Sequence, residues 1–211
     1  TKNQGMIDGN GSTRELPDPM GISTQNVNGK IILDINEEHS LSVGFDLFNN
    51  DSDSQLRSDY GSIVYGTTVN TRDSMDTRER KRYSAQYRFD GNSIIADKIN
   101  FTLYNQKSES EQKTRETRTT PAFAAETRSR DSYFNQDIKG AYLQLSKELN
   151  INNSNHLITY GFDYYTTESS SIRDGGTFDT DGIPLFEFMP LPTRDFPLTE
   201  TDQLAFFLQN E

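Results

Sequence analysis

The sequence predicts an all-β fold, an antiparallel up-and-down β-barrel of transmembrane type. The stretch in hand is a partial barrel wall of about seven strands with long extracellular loops. Three observations lead there. Seven stretches alternate apolar and polar residues with a period of two, which is a strand with two unlike faces. The connections between them alternate between very short and very long and hydrophilic. The chain is also polar for a globule that must bury its own core: 211 residues, 32% hydrophobic, mean hydropathy -0.80.

Element by element, Val27, Gly29, Ile31, Leu33 and Ile35 share one face of a first strand, and Leu41, Val43, Phe45 and Leu47 one face of a second. Only a turn of the Glu37-Glu38-His39 type separates them, so they read as a tight hairpin. A polar connection from Asp51 to about Lys81 follows, roughly thirty residues where compact domains use about 4 to 6. The third strand is the clearest: Tyr83, Ala85, Tyr87 and Phe89 on one face, Arg82, Ser84, Gln86, Arg88 and Asp90 on the other. A short link from Gly91 to Asp97 leads to Ile99, Phe101 and Leu103, and a second long excursion runs from about Ser108 to Arg130. Then come Ala141, Leu143 and Leu145, a short link from Asn150 to Asn155, and Ile158, Tyr160, Phe162 and Tyr164. A third excursion reaches about Leu198, before a last strand with Leu204, Phe206 and Leu208. Short turns on one side and long loops on the other fit an outer-membrane barrel, in which alternate residues face lipid.

Composition narrows the function classes. No run of about 18 apolar residues exists, so no helix is predicted to span a bilayer, and a barrel needs none. Neither a signal peptide nor an initiating Met is present, and the chain stops within a strand, so it is expected to be an excerpt of a longer precursor. Zero cysteines are compatible with a bacterial envelope protein. A net charge of -11 argues against a nucleic-acid partner, which needs clustered positive charge. Arg78, Arg80, Lys81 and Arg82, and again Arg115, Arg118, Arg128 and Arg130, are interleaved with acids and read as solvated mixed-charge surface rather than an anion site.

Little in the chain points to catalysis or a cofactor. His39 and His156, the only histidines, fall at short turns without ligand partners at useful spacing. Asp51 with Asp53, and Asp179-Thr180-Asp181-Gly182, resemble calcium loops but lack the further ligands and the distal Glu. No phosphate loop, nucleophile elbow or Cys-His pair occurs. No catalytic residue, metal ligand or cofactor is therefore assigned. The unusual segment is Ile183 to Pro192, an apolar, Pro-rich run inside a loop that should face water. Phe186, Phe188 and Met189, with Phe123 at the tip of the second loop, are the candidate contacts for an extracellular ligand or carrier protein. Packing under neighbouring loops or into a barrel mouth is the plainer role for the same side chains.

The stretches Asp137 to Leu149 and His156 to Tyr164 resemble the mid-barrel of TonB-dependent outer-membrane receptors, most closely the haem, haemoglobin and transferrin branch. Arg194-Asp195-Phe196-Pro197, the run from Thr199 to Glu211, and Asn26-Val27-Asn28-Gly29-Lys30 entering a strand carry the same likeness. The resemblance spans nearly the whole chain as a pattern of barrel strands, not as a catalytic fingerprint. It implies one domain, residues 1–211 being part of a barrel of about 22 strands whose plug and remaining strands lie elsewhere. It further implies location in the bacterial outer membrane with the long loops extracellular, and uptake of a scarce ligand such as haem or iron from a carrier. Partners would be lipid and, through upstream segments, the TonB energy-transducing complex. No haem-ligating His is supplied by the three long loops, so no functional residue is transferred. A siderophore or other-ligand receptor, or a passive porin, would share this wall. A soluble extracellular glycan-binding β-sandwich is the rival of a different class; it would close the alternating faces into a two-sheet core. An acidic glycosidase comes last, because no carboxylate pair stands out.

Overall fold

In a computed structural model of the chain, the described residues are 16–121, 125–151 and 154–211. They form one antiparallel sheet. Its strands are β1 (Met20–Asp34), β2 (His39–Gln55), the two-residue β3 (Ile63–Val64), β4 (Thr67–Asp90), β5 (Lys98–Thr119), β6 (Glu126–Ile151), β7 (Ser154–Phe178) and β8 (Thr199–Asn210). The seven long strands pair in chain order, β1-β2-β4-β5-β6-β7-β8, with β3 as a side hairpin on β4. Every long strand is thus hydrogen-bonded to its sequence neighbour, which is up-and-down topology. β1 and β8 each have one unpaired edge among the described residues, so the sheet is open. One three-residue 3-10 turn, Arg57–Asp59, is the only helical element among them.

The register carries the apolar pattern across the sheet. One row runs Leu33, Leu41, Tyr87, Phe101, Leu143, Phe162, Phe206. The next runs Ile31, Val43, Ala85, Leu103, Ala141, Tyr164, Leu204. Below them, towards the short turns, His39, Phe89, Ile99, Leu145, Tyr160 and Leu208 form a third. These rows share what is here termed the Tyr83 face, and none of the three holds an Asp, Glu, Lys or Arg. The three charge-free rows, Ala85 to Phe89 on β4, span about 14 Å along the strand at about 3.4 Å per residue, and on single strands the apolar alternation runs further, about 20 Å from Tyr83 to Phe89. The band of an outer-membrane barrel is about 25 Å tall, and the rows flanking these three already carry Lys139, Asp202 and Lys147. The reverse, Arg82 face of the same rows is polar, with Ser42, Gln86, Thr102, Tyr142 and Asp163 in one register row.

Among the described residues no second sheet covers either face, and the Tyr83 face has no protein layer over its apolar rows. Val69 and Ala96 are the only buried hydrophobic residues described, whereas Ile31 is 72% and Phe206 76% exposed. The chain exposes 14350 Å², against about 9,900 Å² for a compact monomer of its mass. A two-sheet sandwich with a dry centre is not what these strands build.

The long hydrophilic connections expected from the sequence are mostly strand. β4 begins at Thr67, not near Lys81; β5 runs to Thr119 and β6 starts at Glu126; β7 continues to Phe178. What remains of these connections among the described residues is 56–66, which holds the 3-10 turn and β3, residues 120, 121 and 125, and 179–198. The physical reason is that both faces of these extensions are wet, so pairing persists without any apolar alternation to announce it. Cross-strand polar contacts take its place: Thr71 with Thr117 at 2.6 Å, Asn105 with Asp137 at 3.1 Å, Arg115 with Asp131. Along the strand, Lys81 pairs Glu79 and Lys107 pairs Glu109, each at 2.9 Å. These pairs offset an otherwise poor register, in which Lys81 lies opposite Lys107 and Glu79 opposite Glu109. At 24 residues and about 3.4 Å per residue, β4 reaches about 80 Å, so most of it extends beyond the apolar band.

Turns and glycines fix the register. Tyr65 (φ 51) and Gly66 (φ 79) are the two left-handed residues of the β3-β4 hairpin, the conformation two-residue turns of type I′ require. Asn36 Oδ1 accepts from the amides of Glu38 (3.0 Å) and His39 (2.9 Å), tying the β1-β2 turn. On the Arg82 face Gly161 sits beneath the Phe207 ring opposite the Leu143 carbonyl; a Cβ there would meet Phe207 Cζ at 2.8 Å and land on that carbonyl oxygen. Gly44, also within a strand on that face, has only ordinary contacts from 3.4 Å. Gly161→Ala should therefore lower the denaturant-unfolding stability by about 1–3 kcal/mol through overpacking, while Gly44→Ala should change it by less than about 1 kcal/mol. Equal midpoints for the two variants would contradict this register.

Candidate functional site

Period two sorts the charges that look mixed in the sequence. Of the ten arginines in the strands, nine lie on the Arg82 face and Arg115 alone on the Tyr83 face. Of the twenty strand carboxylates, twelve lie on the Tyr83 face, all beyond the apolar band. Arg78, Arg80 and Arg82 point one way and Lys81 the other. The reading of these residues as one undivided mixed-charge surface is therefore corrected: a net acidic chain carries an arginine-lined face.

The far end of that face, remote from the short turns, is the most elaborated part of the molecule. Arg72, Glu116 and Arg128 stand side by side on β4, β5 and β6, with Arg118 and Glu126 in the row beyond. Glu116 is buried and receives Arg72 Nε at 3.2 Å, Arg128 Nη1 at 3.8 Å and Arg118 Nε at 4.0 Å; Arg118 also pairs with Glu126.

The 179–198 segment folds back over this end. Asp179 Oδ1 accepts from the amides of Asp181 (2.9 Å) and Ile183 (2.8 Å), turning the chain around. Glu187 then accepts two hydrogen bonds from Arg130 Nη2, at 2.8 and 2.7 Å, and one from Thr177 Oγ1 at 2.7 Å. Further on, Arg173 pairs with Asp195 at 2.9 Å, Thr193 makes a backbone bridge with Arg173, and Phe196 packs edge-on to Phe134 at 6.2 Å between ring centroids. The segment is thus tied to the Arg82 face at both ends. Between the ties it roofs a cavity of about 460 Å³ whose floor includes Arg128, Arg130 and Arg173 with Asp131 and Asp174, and whose roof includes Phe188, Met189 and Leu191.

Of the candidate contacts, Phe186, Phe188 and Met189 come together here. The two rings meet edge to face at 5.4 Å and are 83% and 95% exposed, with Met189 at 66%. They do not pack beneath neighbouring loops. Phe123 lies outside the described residues. Tyr65, at the tip of the first loop, is a fully exposed aromatic that the sequence reading passed over; its signal was the Tyr-Gly turn pair between Val64 and Thr67.

The remaining candidates have structural partners. His39 opens β2 rather than sitting in the turn; its Nδ1 is 2.7 Å from Tyr87 Oη and its ring 5.0 Å from that of Phe89. His156 lies in β7 beside Asn210. Asp51 is within β2 and accepts from Asn49 and Thr77, and Asp179 is the turn-maker already described. Among the described residues no group of three or more His, Cys, Asp or Glu could hold a metal ion.

Comparison with protein-family models finds no match, and neither does comparison with curated proteins.

Two pKa shifts reflect the electrostatics of the site. Burial opposes ionisation of Glu187, but hydrogen bonds from Thr177 and Arg130 outweigh it and hold the carboxyl below its usual range. Burial, followed by the like charge of Arg130, pulls the Arg128 guanidinium down. Because the folded-state pKa of Glu187 is depressed, its contribution is complete above the ordinary Glu value of about 4.3 and lost as pH falls through the lowered value. Hydrogen exchange of the 179–198 amides should therefore accelerate on acidification below about pH 4. Glu187→Gln should give the same acceleration at neutral pH, since charge-assisted bonds of about 1.5–3 kcal/mol are lost. Unchanged protection in the variant would disprove the tether.

Proposed function

We propose that this chain is part of the wall of an outer-membrane β-barrel, its Tyr83 face against lipid and its Arg82 face lining a wet interior. The supporting observation is the continuous apolar band on one face of a single sheet with no protein layer over it. In hydrocarbon such a band is favoured at about 1.5–3 kcal/mol for each large apolar side chain withdrawn from water. Summed over the exposed members of the three rows, that is on the order of tens of kcal/mol. Ordinary domains have a net stability of only about 5–15 kcal/mol, so leaving the band in water is untenable.

The reading accounts for the other features too. Backbone donors and acceptors in a bilayer must be paired within the structure, and sheet pairing does this everywhere except at the outer edges of β1 and β8. Further strands on both edges would close the barrel. The band lies near the short turns, leaving the long ends of β4 to β7 to project outward as hydrated hairpins tipped by Tyr65, Phe186 and Phe188. His39, Tyr87, Phe89 and Tyr160, near the short turns, have the amphipathic character of an interfacial aromatic girdle.

Within this class, the family resemblance favours a TonB-dependent receptor. Its outer hairpins and an internal plug would bind a scarce ligand, haem or iron from a carrier, and energy relayed by TonB would release it inward. Phe123, Phe186, Phe188 and Met189 are the proposed outer contacts. A glycan-binding sandwich would need a second layer, and none is formed by the described residues.

Two variants test the wall. Leu143→Arg places a charge in the middle of the band and should cost about 2–4 kcal/mol of folding stability in a bilayer, whereas Gln144→Arg, on the wet face, should cost less than about 1 kcal/mol. Similar losses for both would count against lipid on the Tyr83 face. For the ligand, growth of the source bacterium on haem as sole iron supply should require both this protein and TonB; growth unaffected by deleting the protein would refute haem uptake.

A further inference from the structure

Of the guanidinium groups lining the cavity beneath residues 187–193, one, that of Arg128, is satisfied only loosely by its neighbours. Glu116 must serve Arg72, Arg118 and Arg128, Glu126 is engaged by Arg118, and Glu187 by Arg130. Arg72 also has Asp59 at 2.7 Å, so Arg72, Arg118 and Arg130 each have a close carboxylate of their own. Arg173 and Asp195 neutralise each other. Arg128 has no such partner: among the described residues its one ion pair is the loose 3.8 Å approach to Glu116, and its Nε, like those of Arg72 and Arg118, is buried without a hydrogen-bond partner. A half-buried cation with an unmet donor, flooring a cavity of about 460 Å³, has the size and polarity of a small-ligand site. The opposite wall is different in kind. Phe188, Met189 and Leu191 offer apolar surface with no hydrogen-bonding side chain.

We propose that this cavity binds an amphipathic anion: a carboxylate or similar group held by the Arg128 guanidinium, with an aromatic or aliphatic body against Phe188 and Met189. Guanidinium recognises carboxylate in a planar, two-bond fork, and the bond is strengthened where water is partly excluded. The apolar roof would reject small hydrated anions, which gain nothing from it. Glu187, by anchoring the roof through Arg130 and Thr177, acts as a positioning residue for Phe188 and Met189. This inference deepens the receptor reading by naming a ligand class, and it rests on that reading only for access from outside the cell.

The test measures equilibrium binding of 2-naphthoate, and of 2-naphthylmethanol as its uncharged counterpart, to the purified full-length protein. The wild type should bind naphthoate at least tenfold more tightly, the lower end of what a charge-assisted hydrogen bond contributes. Arg128→Gln should remove that preference, and the double variant Phe188→Ser, Met189→Ser should weaken both ligands. Arg88→Gln, on the same face at the other end of β4, should alter neither. Equal wild-type affinity for the charged and uncharged probes overturns the proposal, as does an Arg128→Gln protein that keeps the preference. The wild-type comparison needs no variant to fold. Binding by a protein that stays out of bilayers would keep this site and discard the membrane reading; insertion without any preference for the anion would do the reverse.

Discussion

A single sheet whose apolar face has nothing packed on it among the described residues has no protein core to stabilise it, and the structure depends on something else covering that band. Three register rows of Leu, Ile, Val, Phe, Tyr and Ala, with His39, cross one face, two of them over all seven long strands and the third from β2 to β8. None of the described residues returns to cover them. A hydrocarbon environment meets that condition and at the same time makes full backbone pairing obligatory, which the up-and-down topology provides along every internal strand. Side-chain patterning and hydrogen bonding then impose the same solution.

Beyond the band the stabilising logic changes. The upper halves of β4 to β7 have water on both sides, and individual exposed ion pairs contribute about 0–1 kcal/mol each. Their order comes from numbers and from register: glycines that take a neighbouring ring, hydroxyl pairs such as Thr71 with Thr117, and short-range Lys-Glu pairs that relieve like charges placed opposite one another. The 179–198 segment adds a third layer of organisation. It is tied across the Arg82 face by Glu187 and Asp195, and it converts an otherwise open wall into a roofed cavity.

The seven long strands, their order and the apolar face were legible in the sequence because period two is unambiguous where one face is dry. Tyr83, Ala85, Tyr87 and Phe89 predict their own partners. The same logic failed from Asp51 to Lys81 and from Ser108 to Arg130: with both faces wet, Thr, Ser, Glu and Arg alternate with one another and give no hydropathy signal. Thr, the β-branched member of that set, recurs there at positions such as Thr67, Thr68, Thr71, Thr114 and Thr117, a propensity cue weaker than alternation. Once those stretches are strands, parity alone separates Arg78, Arg80 and Arg82 from Lys81. The apolar run around Phe186 was visible as an anomaly. Its placement over Arg128 and Arg130 was not, because it depends on contacts between Glu187 and residues about sixty positions earlier in the chain.

The most direct measurement is spin-label accessibility along Arg82 to Asp90, one label at a time, in the full-length protein reconstituted into bilayers; residues 1–211 contain no cysteine, and any cysteine elsewhere is replaced so that each label is unique. The account predicts that labels at 83, 85, 87 and 89 collide with dissolved oxygen and those at 82, 84, 86 and 88 with a water-soluble nickel complex, in strict alternation. Both sets responding to the nickel complex alone would contradict it.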